Sequence, residues 1–172
     1  MALNRALIKH QWEFHALKGN CVFISHKKED ETAAIAIGNY LTEQIGVDIY
    51  LDLYDMELKE AVSVENDKKI VESIKKGITS STHLLCLVSD KTRLSWWVPY
   101  EVGVAGEHQK QIATLKLKGV EDIPSFLKTE RVLKSMREFF EYTKSYQPYN
   151  GMLSKREFAL NDYQKLHNYI DY

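Results

Sequence analysis

Thr82-His83-Leu84-Leu85-Cys86-Leu87-Val88 is the most strand-like run in the chain. It is continuous and apolar, as a central strand of a parallel sheet must be when both its faces are buried. Just before it, Ile70, Ile74 and Ile78 recur at four-residue intervals with Val71 beside them. That spacing predicts an amphipathic helix with Asn66 or Asp67 as its cap. Just after it, a loop through Lys91 and Arg93 leads to a helix over 97–108, and 112–117 reads as a further strand. Toward the amino end, Gly19-Asn20 precedes the compact apolar run Cys21-Val22-Phe23-Ile24-Ser25, a first strand. Ala33, Ala34, Ile37, Leu41 and Ile45 then mark a helix from 30 to 45, with Gly46 as its C-cap and 47–51 as a second strand. Strands alternating with helices imply a parallel sheet covered on both sides.

The flanks carry weaker signals. Leu3, Leu7, Trp12 and Phe14 among polar residues suggest a short amphipathic helix over 1–18. Beyond Gly119, 123–127 reads as a short helix, 131–133 as a brief fifth strand and 134–146 as a helix. Tyr163, Leu166, Tyr169 and Ile170 fall at helical spacing in a tail that can pack on the domain or on a partner. A polar connection over 52–66, with Asp55, Glu57, Glu60 and Glu65, is long enough to suggest a functional or gating loop.

Composition removes several classes of function. The 172 residues hold 23 Lys and Arg against 24 Asp and Glu, so no long-range field draws the chain to nucleic acid or to anionic membrane. Cys21 and Cys86 sit inside apolar runs and read as small buried hydrophobes. No Cys-x-x-Cys and no close histidine pair suggests a metal. Lys9, His10, Glu13 and Lys18 interrupt the early apolar stretches, which argues against a secretory signal and for the cytosol. No G-x-G-x-x-G follows a strand, which argues against a classical dehydrogenase. A response-regulator receiver needs acidic residues directly after strand one, where this chain has His26, Lys27 and Lys28.

Open parallel sheets bind ligands at the carboxyl ends of their strands. Ser25, His26, Lys27 and Lys28 follow the first strand, Asp52, Tyr54 and Asp55 the second, and Ser89, Asp90 and 95–101 the third. Lysines and hydroxyls suit phosphate oxygens, and carboxylates suit ribose hydroxyls. Alternatively, Lys27, Lys28 and Glu29 form a solvated loop, with Asp30 as a helix cap. In Trp96-Trp97-Val98-Pro99-Tyr100-Glu101, two adjacent tryptophans cannot both enter one core, so one is available to a planar ligand. Pro99 suits a first helical turn, and the helix dipole there favours an ionised Glu101. Alternatively, Glu101 is a capping-box acid for Ser95.

Residues 21–118 resemble a bacterial TIR domain. Val22-Phe23-Ile24-Ser25-His26 with Asp30 is similar to that family's first-strand signature, and Trp97-x-x-x-Glu101 matches its W-x-x-x-E motif. The resemblance implies an α/β, flavodoxin-like open parallel sheet of about five strands, with the domain over 19–146 and helical extensions over 1–18 and 147–172. It implies an NAD nucleosidase with Glu101 as the catalytic residue. Phe23, Ser25, His26, Lys27, Lys28, Asp52 and Tyr54 would form the substrate pocket, and Trp97 would stack on the adenine. NAD is then a substrate, with no bound cofactor and no metal. One carboxylate suffices for such a reaction, because nicotinamide leaves as a neutral base and the site must chiefly stabilise an oxocarbenium ion.

Small standalone TIR proteins of this kind resemble the signal-producing half of Thoeris-type anti-phage systems. That likeness implies a cyclic ADP-ribose product, a separate effector that senses it, and association with other TIR domains as a homo-oligomer or filament. A noncatalytic TIR scaffold is the main alternative, and a nucleoside deoxyribosyltransferase-like enzyme the second. The long acidic loop and the C-terminal extension depart from the family pattern.

Overall fold

The computed structural model describes residues 2–8, 19–54, 62–64, 66–146 and 164–172. Five parallel strands form one sheet in the order β2-β1-β3-β4-β5. They are β1 (Cys21–Ser25), β2 (Asp48–Tyr50), β3 (His83–Val88), β4 (Gln111–Lys116) and β5 (Arg131–Leu133). The expected run 82–88 is the central strand, fully buried along its length. It pairs with β1 through Val22 opposite His83 and with β4 through Leu84 opposite Ile112. Among the described residues four α-helices connect and flank the strands: α1 (Glu31–Tyr40), α2 (Asp67–Thr79), α3 (Trp97–Glu107) and α4 (Met136–Thr143).

Side-chain alternation along β1 and β2 decides which helix lies on which face. Ile24 and Ile49 point toward α1, where Gly38 lets the helix come close. Phe23 and Tyr50 point the other way, stacked at 5.6 Å, with α2 lying over them. A Cβ at Gly77 would stand 2.5 Å from the Tyr50 ring, so glycine is the residue that lets α2 sit at this distance. Ser25, two residues after Phe23, therefore faces the α2 and α3 side.

Several local expectations are modified. The helix from 30 to 45 changes character at Tyr40 and finishes as a π turn, Leu41–Ile45, before Gly46 closes it at φ 75°. Asp30 makes no cap; its carboxylate accepts a hydrogen bond from Ser89 Oγ at 2.6 Å, tying the start of α1 to the end of β3. Asn66 does cap α2, accepting from Lys69 N. The short helix near 123–127 is a 3-10 turn, Ser125–Thr129. In the C-terminal tail, Leu166 and Ile170 are buried in the main core.

At the amino end, residues 2–8 hold a 3-10 turn, Arg5–Leu7, where an amphipathic helix is expected; 9–18 lie outside the described residues. This segment lies along β2, with Asn4 bridged in parallel to Ile49. Arg5 is buried, paired with Asp48 at 2.9 Å and donating to the carbonyls of Ser80 and Gly19. Among the described residues no helix is long and apolar enough to cross a membrane.

Candidate active site

The strand order reverses between β1 and β3, and a cleft of about 580 Å³ opens beside this point at the carboxyl ends of β1 and β2. His26, Lys27 and Lys28 follow β1 into it, and Asp52 and Leu53 follow β2. Ile70 and Ile74 of α2 form an apolar wall, and Leu94 to Trp97 form the opposite rim. Glu101 reaches it from α3.

Helical geometry explains the Trp97-x-x-x-Glu101 spacing. Residues four apart share a helix face, so Trp97 and Glu101 both meet the cleft, the first at its mouth and the second at its floor. Trp97 is partly exposed and packs edge-on against Tyr100 at 6.1 Å. Trp96 is 90% exposed, so both tryptophans meet solvent and planar surface is available. Pro99 is the third residue of α3, inside the first turn, where its missing N–H breaks no helical hydrogen bond. Glu101 is the fifth.

Glu101 is 3% exposed and makes no capping box. Ser95 takes the capping role alone, accepting from Val98 N, while Glu101 Oε2 accepts from Ser25 Oγ at 2.5 Å. The expected ionised state is also corrected. Burial raises the Glu101 pKa to about 8, the charge on Asp52 adds to the rise, and the Ser25 hydrogen bond opposes it. Desolvation therefore works against the helix dipole and favours the neutral acid. Cys86 lies fully buried nearby; burial and then Glu101 push its thiol upward, against a hydrogen bond from Ser25.

The other expected site residues divide. His26 is within 3.2 Å of the Ile24 carbonyl and 3.9 Å from Asp52. Lys27 is paired with Glu29 at 3.2 Å, and Lys28 lines the cleft. Phe23 lies in the core against Tyr50, and Ser25 reaches the cleft only through Glu101. Tyr54 ends the turn Asp52–Tyr54, but its side chain falls outside the described residues, as does most of the 52–66 connection. Sequence reasoning missed Ile70 and Ile74 as cleft residues, because their spacing signals only a buried helix face. It also missed Leu94, which is 74% exposed on the rim. Among the described residues no cluster of potential metal ligands occurs.

The family model for the TIR domain matches residues 22–148. The chain is a TIR-domain protein. Among solved structures, this TIR domain is similar to that of the Toll-related receptor TRR-2 from Hydra magnipapillata. The two share 17% identity at a TM-score of 0.54, over 72% of this chain and 97% of that one, which is a likeness of fold. A diflavin flavoprotein A3 from Nostoc sp. matches at 14% identity and a TM-score of 0.43, over 76% of this chain and 90% of that one. Among curated proteins none matches the chain.

Proposed function

We propose that this TIR domain is an NAD nucleosidase that breaks the nicotinamide–ribose bond, with Glu101 as the catalytic residue. The observation that carries it is an acid held at the floor of a cleft of about 580 Å³, hydrogen-bonded to Ser25 and not to its own helix end. A buried acid facing a second carboxylate, Asp52, is set up to receive positive charge. Nicotinamide in NAD is cationic, and its entry would favour loss of the Glu101 proton. The glycosidic electron pair then leaves with nicotinamide, and the carboxylate stabilises the oxocarbenium ion left on the ribose. Attack on that carbon by water gives ADP-ribose, and attack by the substrate's own adenine or ribose gives a cyclic isomer. The proton released by water or by a ribose hydroxyl passes to Glu101, while an adenine ring nitrogen attacks with its lone pair and brings no proton.

In this reading Lys28, Lys27 and His26 meet the pyrophosphate, Asp52 the ribose, and Trp97 the adenine. We take the product as a cyclic ADP-ribose signal read by a separate effector in cytosolic anti-phage defence, with TIR–TIR association as the trigger. The test is to incubate the protein and its Glu101→Gln variant with NAD and resolve the products by liquid chromatography and mass detection. Wild type should release nicotinamide, and the variant should be slower by about two to three orders of magnitude. Equal rates would sink the proposal.

A noncatalytic scaffold is the second reading, favoured by the exposed apolar rim of Leu94 and Trp96. It predicts that Trp96→Ala abolishes self-association while NAD stays intact with every variant. Cleavage of deoxynucleosides in place of NAD would favour the deoxyribosyltransferase alternative.

A further inference from the structure

The amino-terminal segment packs against the turn Asp52–Tyr54 and holds the strand that delivers Asp52 to the cleft. Leu3 O accepts from Ile49 N at 3.0 Å, and Asp48 Oδ1 accepts from Leu3 N at 3.0 Å. Asn4 Oδ1 accepts from Ala6 N and from Leu51 N, both at 3.1 Å. Leu51 is the residue immediately before Asp52. One amide oxygen therefore fixes both the turn of the segment and the Tyr50–Leu51 peptide, one residue before the turn that carries Asp52. Arg5, clamped by Asp48 and the Ser80 and Gly19 carbonyls, keeps Asn4 in that place.

We infer that Asn4 is a positioning residue for the cleft: through Leu51 it holds in place the turn that carries Asp52 into the cleft that Glu101 also lines. The other groups that face Glu101 come from elsewhere: His26, Lys27 and Lys28 follow β1, Cys86 lies on β3, and Ser25 ends β1. Among the described residues none of them is hydrogen-bonded to residues 3–7, whereas the turn Asp52–Tyr54 packs on that segment, so the route from segment to site runs through Asp52. Two like charges repel, so an Asp52 released from its tether relaxes toward solvent and Glu101 loses its proton more easily. Anything that draws the amino-terminal segment off β2 would act on the site in the same sense. The bearing on rate rests on the NAD nucleosidase proposal, but the positioning itself does not.

The experiment is a carboxyl carbon NMR titration of the intact protein labelled at Glu Cδ, with the Glu101 resonance assigned by its loss in Glu101→Gln. Asp52→Asn should lower the Glu101 midpoint, and Asn4→Ala should lower it by about one pH unit. Asn4→Asp, which keeps the acceptor oxygen, should restore the wild-type midpoint. The double variant Asn4→Ala with Asp52→Asn should titrate like Asp52→Asn alone. A midpoint unmoved by Asn4→Ala, or a drop that adds in full to that of Asp52→Asn, overturns the inference. In the wild type, whatever the variants do, the Leu51 amide should exchange as slowly as that of Ile49; an unprotected Leu51 amide overturns it too. These readouts need no turnover. An inactive enzyme that shows the shifts rejects the nucleosidase proposal alone, and an active enzyme without them rejects Asn4 alone.

Discussion

Arg5 and Glu101 are both 3% exposed, and they are buried in opposite ways. Arg5 lies beside the edge strand with Asp48 as its counter-ion and two carbonyls as further acceptors, so its charge is matched. Glu101 lies at the other end of the sheet with a like charge, Asp52, as its electrostatic neighbour and one hydroxyl as its donor. A matched buried charge fastens a structure. An opposed one is costly to the fold and persists where chemistry requires it.

The largest effect should come from spoiling the matched charge. Arg5→Met leaves Asp48 without its cation and should cost about 3 kcal/mol or more in urea unfolding. Adding Asp48→Leu should recover most of that loss, because an apolar pair replaces an ionic one without an orphan charge. If the double variant is no better than the single one, the two ends of the sheet do not differ as described.

Glu101→Gln should act in the reverse direction. The folded pKa, about 8, lies above the ordinary carboxylate value of 4.5, so the protonated fold is favoured over the unfolded chain at low pH. That contribution is complete below pH 4.5, shrinks as pH rises, and is gone above about 8. Gln keeps the acceptor for Ser25 and never ionises, so the variant should match wild type near pH 4 and be the more stable of the two at pH 9. A variant less stable than wild type at pH 9 would break the comparison. If NAD is the substrate, the same group predicts that kcat/KM of the free enzyme rises with pH through an inflection near 8.

The smallest effect belongs to exposed charge. Arg93 bonds Asp122 at 2.8 Å, and Lys128 bonds the same carboxylate, but the three side chains are more than half exposed. Arg93→Ala should leave the urea midpoint within error of wild type.

Much of the fold is legible in the chain because burial on both faces forces apolar runs, and the 82–88 run is the clearest of them. The five strands and four main helices follow from such runs and from three- and four-residue spacing. Trp97 and Glu101 were legible as a pair through their likeness to the W-x-x-x-E motif, and a spacing of four makes them neighbours on a helix. Contacts that span the sequence leave no periodic trace. Nothing near Glu101 reveals Ser25, 76 residues away, and nothing near Asp30 reveals Ser89. The ionisation of Glu101 was read with the wrong sign because its place near a helix start is local, while its desolvation is a product of the whole fold. Arg5 stands among mixed residues and gives no sign of burial, since its acceptors lie 43 and 75 positions downstream. Ile70 and Ile74 serve two surfaces, and periodicity records only one.

Those separations carry a consequence for synthesis. At roughly 5–20 residues per second, Arg5 is made several seconds before Ser80, its later acceptor. Until then its guanidinium has Asp48 and the Gly19 carbonyl as acceptors but lacks the third. Leu166 and Ile170 are added after the other core residues and complete the packing from the opposite end of the chain. A nascent chain stalled before 166 would therefore lack Leu166 and Ile170 and present an unsealed core to chaperones and proteases.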